Sequence, residues 1–241
     1  MRDFITCLEF LTRVRFSKRT DWRDEDFSRS VPYFPLVGLV IGSLLAAVNY
    51  SLFYIETPLF LRVTLLLLAE IIITGGLVDD GFDAIYSNRD KERMLEIMKD
   101  SHVGSNAVLA IIILLLLKIA AYLELSGETL TWVLLTMSVA TRTFMVVFIV
   151  NFPYARKEGI GHMFTKYAKP FYTYIAFAVC AGIIAACGLQ YLAVAGICFT
   201  VTLIIAQYLK TQLGGLTGDT YGALTECGNV IYLLTAVFLL R

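Results

Sequence analysis

Residues 171–209 read FYTYIAFAVCAGIIAACGLQYLAVAGICFTVTLIIAQYL and contain no charged side chain. A helix needs about 20 predominantly apolar residues to cross a bilayer, so this stretch is long enough for two crossings. Its one interruption, Gly188-Leu189-Gln190, has the composition of a tight turn. The stretch therefore predicts two membrane helices joined by a short loop.

The rest of the chain has the same apolar character. Hydrophobic residues make up 58% of the 241 residues and charged residues only 17%, with a mean hydropathy of +0.72. Soluble domains have an apolar share nearer half and a charged share nearer a quarter. Further spans are predicted at residues 33–55, 58–77, 106–123, 130–151 and 224–240. Residues 4–16 mix apolar and charged side chains at a helical period, which predicts a helix lying in the membrane interface.

These segments predict an all-α fold: a polytopic helical bundle of about seven spans, forming one transmembrane domain over residues 1–241. Most of the 20 lysines and arginines fall in the N-terminal segment and in alternate loops. By the positive-inside rule, the loops at about 74–106, 151–170 and 210–223 then face the cytoplasm of a prokaryotic cell with the chain in its inner membrane. The formal net charge of zero gives no reason to expect a nucleic-acid partner, so the expected surroundings are the lipid bilayer.

The longest hydrophilic stretch between apolar segments begins TGGLVDDGFDA at Thr74 and carries three acids within five residues: Asp79, Asp80 and Asp83. Carboxylates are costly to cluster at a membrane surface unless a cation neutralises them, and oxygen ligands suit Mg²⁺ or Mn²⁺. Asp-Asp-Gly is also ordinary turn chemistry. The spacing alone leaves a metal site and a solvated turn both open.

An amphipathic helix is predicted directly after this cluster, over residues 89–101. Its acids Glu92, Glu96 and Asp100 recur every four residues. Like charges at that spacing destabilise a free helix, so a positive group is expected to face them. Because basic residues interleave with the acids, a mixed-charge interfacial helix without a ligand remains an alternative.

Few charges fall inside the predicted spans. Each would be costly facing lipid, so each should snorkel, pair or line a cavity. Arg62 and Lys118 are near enough to helix ends to snorkel or to form structural pairs. Glu70, Arg142 and Glu226 are instead candidates for a polar cavity.

Two further loops carry polar chemistry. Residues 151–170 place Arg156 and Lys157 beside glycines, which suits phosphate binding, although positive-inside topology alone explains basic residues there. Residues 213–226 read LGGLTGDTYGALTE, in which Asp219 can add a metal or hydroxyl ligand, unless the loop is a plain turn. Acids, glycines and bases on one membrane face fit Mg²⁺-dependent phosphoryl transfer.

Several ordered motifs give the chain a resemblance to a known family. They are Glu9-Phe10-Leu11-Thr12-Arg13, Tyr33-Phe34-Pro35-Leu36-Val37-Gly38, Gly75-Gly76-Leu77, Leu95-Glu96-Ile97-Met98-Lys99-Asp100-Ser101, Pro153-Tyr154-Ala155-Arg156 with Glu158-Gly159, and Gly214-Gly215-Leu216-Thr217-Gly218-Asp219-Thr220-Tyr221-Gly222. In these motifs the chain resembles the cobalamin synthases, also called adenosylcobinamide-GDP ribazoletransferases. The resemblance implies a Mg²⁺-dependent membrane enzyme of late cobalamin assembly, which joins α-ribazole or its phosphate to adenosylcobinamide-GDP and releases GMP.

With this resemblance, the site residues are assigned by role. The metal ligands are Asp79, Asp80, Asp83 and Asp219; the catalytic residues are Asp100 and Arg156; the substrate-binding residues are Glu96, Lys99, Ser101, Arg142, Lys157, Gly159, Thr217 and Gly218. Asp100 is assigned as the group that accepts a hydroxyl proton. The implied partners are the two substrates and the bilayer, and a homo-oligomer is compatible with the sequence.

The chain departs from the family pattern in its central stretch. The pattern is G-G-L-H-L-D-G followed by D-x-x-D-[GA], whereas here Gly75-Gly76-Leu77 is followed after one residue by Asp79-Asp80-Gly81-Phe82-Asp83-Ala84, about four residues fewer. Asp80 and Asp83 can match the later D-x-x-D, in which case the His and the first Asp of the pattern are absent; alternatively, Asp80-Gly81 matches the earlier Asp-Gly and the later pair is broken. Asp79 is a candidate replacement for the lost acid.

Two other classes of membrane protein fit the sequence less well. A CDP-alcohol phosphotransferase is disfavoured because the D-G-x-x-A-R start of its motif is absent from the sequence. A small-solute transporter is disfavoured because the sequence has no apparent inverted repeat.

Overall fold

The computed structural model describes residues 2–13, 24–75, 94–95, 104–125, 127–156 and 159–241. Within these ranges the chain forms ten α-helices and one 3₁₀ turn at Val31–Tyr33. The helices are α1 (Arg2–Leu11), α2 (Asp24–Ser30), α3 (Phe34–Tyr54), α4 (Leu59–Thr74), α5 (Ser105–Glu124), α6 (Gly127–Asn151), α7 (Ile160–Lys166), α8 (Phe171–Cys187), α9 (Gln190–Leu213) and α10 (Gly218–Leu240).

Five helical segments of the described chain are long and apolar enough to cross a membrane: Glu25–Tyr54, Ala107–Glu124, Gly127–Asn151, Gln190–Leu213 and Gly218–Leu240. The predicted all-α membrane bundle is therefore confirmed. The other two predicted spans correspond to α4, with 16 residues, and α8, with 17. At 1.5 Å per residue these helices are about 25 Å long, shorter than the hydrocarbon core of roughly 30 Å.

The predicted start of the last span is wrong by six residues. The sequence predicts a start at Leu224, but α10 begins at Gly218. Because α9 also continues to Leu213, most of the predicted 210–223 loop is helical. The cause is a reciprocal cap: Thr217 Oγ1 accepts from the Thr220 backbone N–H at 3.2 Å, and Thr220 Oγ1 accepts from the Thr217 N–H at 2.7 Å. Similarly, the predicted 151–170 loop contains the short helix α7.

The centre of the bundle is α6, which is buried along most of its length and packs closely against α3. Glycine at position 42 makes this packing possible, because a Cβ there would lie 2.7 Å from Leu135 Cα. The Gly38-x-x-x-Gly42 spacing therefore serves close helix packing. This close packing holds α3 and α6 together at the centre of the bundle.

Short helices form a layer across the end of the bundle where α3 begins. The ring of Phe164 from α7 lies 4.6 Å from Phe10, 5.2 Å from Phe27 and 5.6 Å from Phe34, measured between centroids. Ser28 Oγ also donates to the Met163 carbonyl at 2.6 Å. This aromatic cluster joins α1, α2, α3 and α7, so it places the start of α7 on the same membrane face as the start of α3.

Candidate functional site

The loop after α6 and the loop before α10 are joined by backbone hydrogen bonds. The Ala155 N–H donates to the Leu216 carbonyl at 2.8 Å, and the Leu216 N–H donates to the Pro153 carbonyl at 2.8 Å. The pair forms an isolated parallel bridge between Tyr154 and Leu216. Residues that are far apart in sequence are thereby held side by side.

Glycine is required for this approach of the two loops. A Cβ at position 215 would lie 2.6 Å from the Pro153 carbonyl oxygen and 2.9 Å from the Ala155 nitrogen, both backbone atoms that cannot rotate away. Gly214, which ends α9, has a φ of 71° in the left-handed region that favours glycine. The Gly214-Gly215 pair thus turns the chain and allows the bridge.

The bridge brings Arg156 against Asp219 in the first turn of α10. Arg156 Nη2 lies 2.9 Å from Asp219 Oδ2, and both side chains are largely buried. These two groups form an ion pair, and Arg156 Nε is in addition buried without a hydrogen-bond partner in the described residues. Buried polar atoms are nearly always satisfied, so the Nε donor is available to a ligand.

Tyr154 forms one wall of this site. A Cβ at Gly161 would lie 2.6 Å from the Tyr154 hydroxyl oxygen, so the start of α7 approaches the phenol closely. The Tyr154 ring also lies 5.7 Å from the His162 ring and 6.5 Å from the Tyr221 ring. Burial raises the pKa of Tyr154 above its ordinary value, so its hydroxyl stays protonated near neutral pH.

Five predicted site residues are near one another around this wall: Arg156, Gly159, Thr217, Gly218 and Asp219. A Cβ at Gly159 would lie 3.3 Å from the Tyr154 hydroxyl, and one at Gly218 would lie 4.0 Å from the backbone nitrogen of residue 161. Gly159 has a φ of 123° at the start of α7, a conformation that favours glycine. Their roles stay predictions, but their proximity fits a single site.

Arg142 lies elsewhere. It is inside α6, nine residues before the helix ends, or roughly 14 Å along the axis. Its Nη1 donates to Thr141 Oγ1 at 3.1 Å and to Asn229 Oδ1 at 3.5 Å. The structure therefore places it in the buried interior of the bundle, away from the Arg156–Asp219 pair, and its substrate-binding role remains untested.

The other predicted site residues lie outside the described ranges. They are Asp79, Asp80, Asp83, Glu96, Lys99, Asp100, Ser101 and Lys157.

The described residues on either side of Asp79, Asp80 and Asp83 lie on the same membrane face. Met94 and Leu213 are buried against each other, with Leu95 and Ala155 packed on them, so residue 95 lies beside the loop that carries Arg156. At the end of α4, Arg13 donates its backbone N–H to the Ile73 carbonyl at 3.1 Å. The end of α4 therefore lies beside the end of α1, and residues 94–95 lie beside the loop that carries Arg156.

The described residues offer one candidate ligand for Mg²⁺. Asp219 Oδ2 pairs with Arg156, and the other oxygen of this carboxylate suits one ligand of a hard cation. In the described ranges no group of three or more His, Cys, Asp or Glu residues could hold a metal ion. The other three predicted ligands belong to residues outside those ranges.

A second polar cluster lies within the bundle and joins α4, α5 and α10. Lys118 Nζ donates to Glu70 Oε1 at 2.8 Å and to Glu226 Oε2 at 2.6 Å, and the Tyr122 hydroxyl donates to Glu70 Oε2 at 2.9 Å. All four side chains are buried. With Arg142 nearby, two positive and two negative charges balance. Lys118 therefore forms a structural pair, one of the two alternatives predicted for it, and does not snorkel.

Sequence reasoning gave no role to Tyr154, His162 or Tyr221. Tyr154 stands within the Pro153-Tyr154-Ala155-Arg156 motif, so the resemblance marked the position without saying what the side chain does. The close glycines at 159 and 161 were the available signal, since paired glycines often mark places where another group approaches the backbone.

Comparison with known proteins agrees with the motifs. A family model described as CobS, cobalamin-5-phosphate synthase, matches residues 3–237. The adenosylcobinamide-GDP ribazoletransferase of Clostridium novyi (strain NT) is 36% identical over 97% of this chain and 96% of its own length. The protein of the same name from Desulforamulus reducens is 39% identical, over 91% of this chain and 89% of its own.

A third relative, the adenosylcobinamide-GDP ribazoletransferase of Clostridioides difficile (strain 630), is 33% identical over 97% of this chain and 96% of its own. No solved structure matches the chain. The family model and these relatives each cover nearly all of it. The chain belongs to the cobalamin-5-phosphate synthase family.

Proposed function

We propose that the protein is an adenosylcobinamide-GDP ribazoletransferase, which joins α-ribazole or α-ribazole 5′-phosphate to adenosylcobinamide-GDP and releases GMP. The observation that carries this proposal is the Arg156–Asp219 ion pair, in which the buried Arg156 Nε lacks a hydrogen-bond partner among the described residues. A pyrophosphate substrate needs a cation at its oxygens, and a ribose needs acceptors for its hydroxyls. This pair offers both.

Arg156 binds the phosphate next to the bond that breaks. Its Nε donor has no described partner and is proposed to bind a phosphate oxygen, while Nη2 is held by Asp219. Because the side chain is only 17% exposed, its charge is weakly screened. It therefore stabilises the negative charge that grows on the phosphate in the transition state.

Asp219 holds the Arg156 guanidinium in place through Oδ2 and offers its other carboxylate oxygen to the ligand. Its position in the first turn of α10 puts a carboxylate where the helix N-terminus favours negative charge. The Thr217–Thr220 cap fixes the start of that helix. Asp219 is thus oriented before the substrate binds.

In the proposed transfer, a ribose hydroxyl oxygen forms a bond to the phosphorus attached to cobinamide, and the bond from that phosphorus to the bridging oxygen breaks. The bridging oxygen leaves with its electron pair on GMP. The hydroxyl proton passes to a carboxylate, for which Asp100 is the predicted acceptor.

Mg²⁺ is part of the proposal, with Asp219 as one ligand and Asp79, Asp80 and Asp83 as the other predicted ligands. When bound, the ion would neutralise the pyrophosphate oxygens. The site is proposed to face the cytoplasm, since the basic loops that flank it follow the positive-inside rule.

The test is the release of GMP from adenosylcobinamide-GDP by purified protein, with and without α-ribazole. Arg156→Met removes the cation while keeping much of the side-chain volume, and we expect the rate to fall roughly 10²–10³-fold, the usual loss for one preorganised donor. Asp219→Asn keeps the shape and removes the charge, and we expect a comparable loss. Arg156→Lys should recover only part of the rate because a lysine cannot bind in a bidentate way.

Arg241→Met is the control, because Arg241 is also ion-paired but lies at the C-terminal end of α10, far from Asp219. It should keep the wild-type rate. Rates within about threefold of wild type for both Arg156→Met and Asp219→Asn would contradict the proposal, since that is far below the loss expected for a preorganised donor.

A further inference from the structure

The opposite end of α3 carries a second polar pocket, which the proposed transfer does not use. A cavity of about 490 Å³ lies where α3 turns into α4, lined by Tyr50, Phe53, Tyr54, Glu56, Thr57 and Arg62. The 21 residues of α3 separate it from the layer of short helices by roughly 32 Å. It is therefore distinct from the Arg156–Asp219 site.

Arg62 in this pocket is a charged side chain without a described partner. It is 7% exposed, and its buried Nε has no hydrogen-bond partner in the part of the chain that the structure describes. Among the described residues, its guanidinium makes a cation–π contact with Phe53, whose ring centroid lies 5.2 Å from the guanidinium carbon. No ion pair among the described residues includes Arg62. A buried guanidinium needs an anion or several acceptors to offset its desolvation.

The rim of the pocket has the chemistry of a membrane interface. Tyr50, Phe53 and Tyr54 are all more than half exposed at the end of a membrane-spanning helix. Tyrosines are enriched at the level of lipid headgroups because their rings are apolar and their hydroxyls are polar. A lipid phosphate is therefore the anion that could reach Arg62 from this side.

Glu56 adds selectivity among lipids. It lies on the exposed turn and lines the same pocket, yet it forms no described ion pair with Arg62. In a headgroup with a phosphate and an amine, the phosphate would face Arg62 and the ammonium group would face Glu56. An anionic headgroup would instead leave the Glu56 carboxylate facing a negative or neutral group. The two residues together favour a zwitterionic headgroup with a primary amine.

We propose that the pocket between α3 and α4 binds the phosphoethanolamine headgroup of a membrane phospholipid, with Arg62 on the phosphate and Glu56 on the ammonium group. The bound lipid satisfies the Arg62 donors and covers the turn between the two helices. This site does not depend on the transferase proposal, because it lies at the other membrane face.

The test is native mass spectrometry of the full chain in mild detergent with added phosphatidylethanolamine or phosphatidylglycerol of matched acyl chains. Wild type should retain the ethanolamine lipid preferentially. Arg62→Gln should weaken that binding roughly ten- to hundredfold, the usual effect of losing a hydrogen bond to a charged group. Arg62→Lys keeps the charge and should give an intermediate loss.

Arg241→Gln is the matched control, an arginine near the same membrane face that pairs with Glu124 and does not line the pocket. It should bind lipid as wild type does. Glu56→Gln should abolish the preference for ethanolamine over glycerol headgroups. Because Glu56 is exposed, this variant decides the question even if the Arg62 variants do not fold.

Glycerophosphoethanolamine and inorganic phosphate are added in separate arms, and both should compete weakly because they lack acyl chains. The proposal is overturned if Arg62→Gln retains the lipid, if Glu56→Gln leaves the preference intact, or if Arg241→Gln loses the lipid equally. Binding of inorganic phosphate as tight as that of the lipid would also overturn it, because the site would then take a free anion.

Discussion

The buried cluster around Lys118 links α4, α5 and α10 through charged hydrogen bonds. Lys118→Met removes the ammonium group but fills the same space, so Glu70 and Glu226 are left facing each other in the bundle with Arg142 as the remaining cation. Removing one partner from a buried ion pair costs about 3–5 kcal/mol. For a chain of this length, that free energy corresponds to a fall in Tm of roughly 6–20 °C.

The assay is thermal unfolding of the purified protein in detergent, with two comparison variants. Arg241→Met breaks the Arg241–Glu124 pair, which has the same 2.8 Å separation as the Lys118–Glu70 pair but is 67% and 46% exposed. It should cost less than about 1 kcal/mol. Because the two ion pairs have the same length, a difference between the Tm changes of the two variants reports the effect of burial.

The second comparison is Lys118→Met with Glu70→Gln. This double variant leaves one acid, Glu226, with one cation, Arg142, so the cluster is again neutral. We expect it to recover most of the lost stability, because a neutral replacement of a buried pair is often tolerated. If Lys118→Met is as mild as Arg241→Met, the cluster does not hold these helices together. If the double variant is no better than the single one, the loss comes from packing and not from charge.

Two further predictions concern the loops of the site. Gly215→Ala places a Cβ 2.6 Å from the Pro153 carbonyl oxygen, so the two loops must separate. We expect GMP release to fall at least about tenfold. The control is Gly196→Ala, which should keep full activity because a Cβ there meets nothing within 4 Å. A four-residue insertion after Leu77 restores the family spacing, and it should raise Mg²⁺ affinity and turnover over the present chain, because metal ligands tolerate little displacement. Equal rates before and after the insertion would show that the shorter loop is fully competent.

The membrane helices could be predicted closely because their signal is local. The uncharged stretch at 171–209 gives α8 and α9 with starts correct to within one residue, and the Gly188 break falls at the end of α8. The start of α10 could not be predicted in the same way. Residues 218–223 have the glycine-rich composition of a loop, and only the Thr217–Thr220 cap makes them helical.

The pairings could not be predicted because their partners are far apart in sequence. Lys118 is separated by 48 residues from Glu70 and by 108 from Glu226, so no local period marks them. The cost of a charge in lipid predicted that Lys118 would pair or snorkel, without choosing between the two. For the site, the sequence placed Arg156 and Asp219 on one membrane face, but their contact depends on the backbone bridge at Leu216.

The cluster and the site share α10, and this links stability to activity. Asp219 and Glu226 are seven residues apart, or almost two helical turns, so they lie on nearly the same face of the helix. The Lys118–Glu226 bond therefore restricts rotation of α10 about its own axis. A rotation of about 20° would move a side chain roughly 5–6 Å from the axis by about 2 Å, which is enough to separate Asp219 from Arg156. Because a displacement of about 1 Å can cost roughly 10²-fold in rate, Lys118→Met should slow GMP release even in the fraction that remains folded.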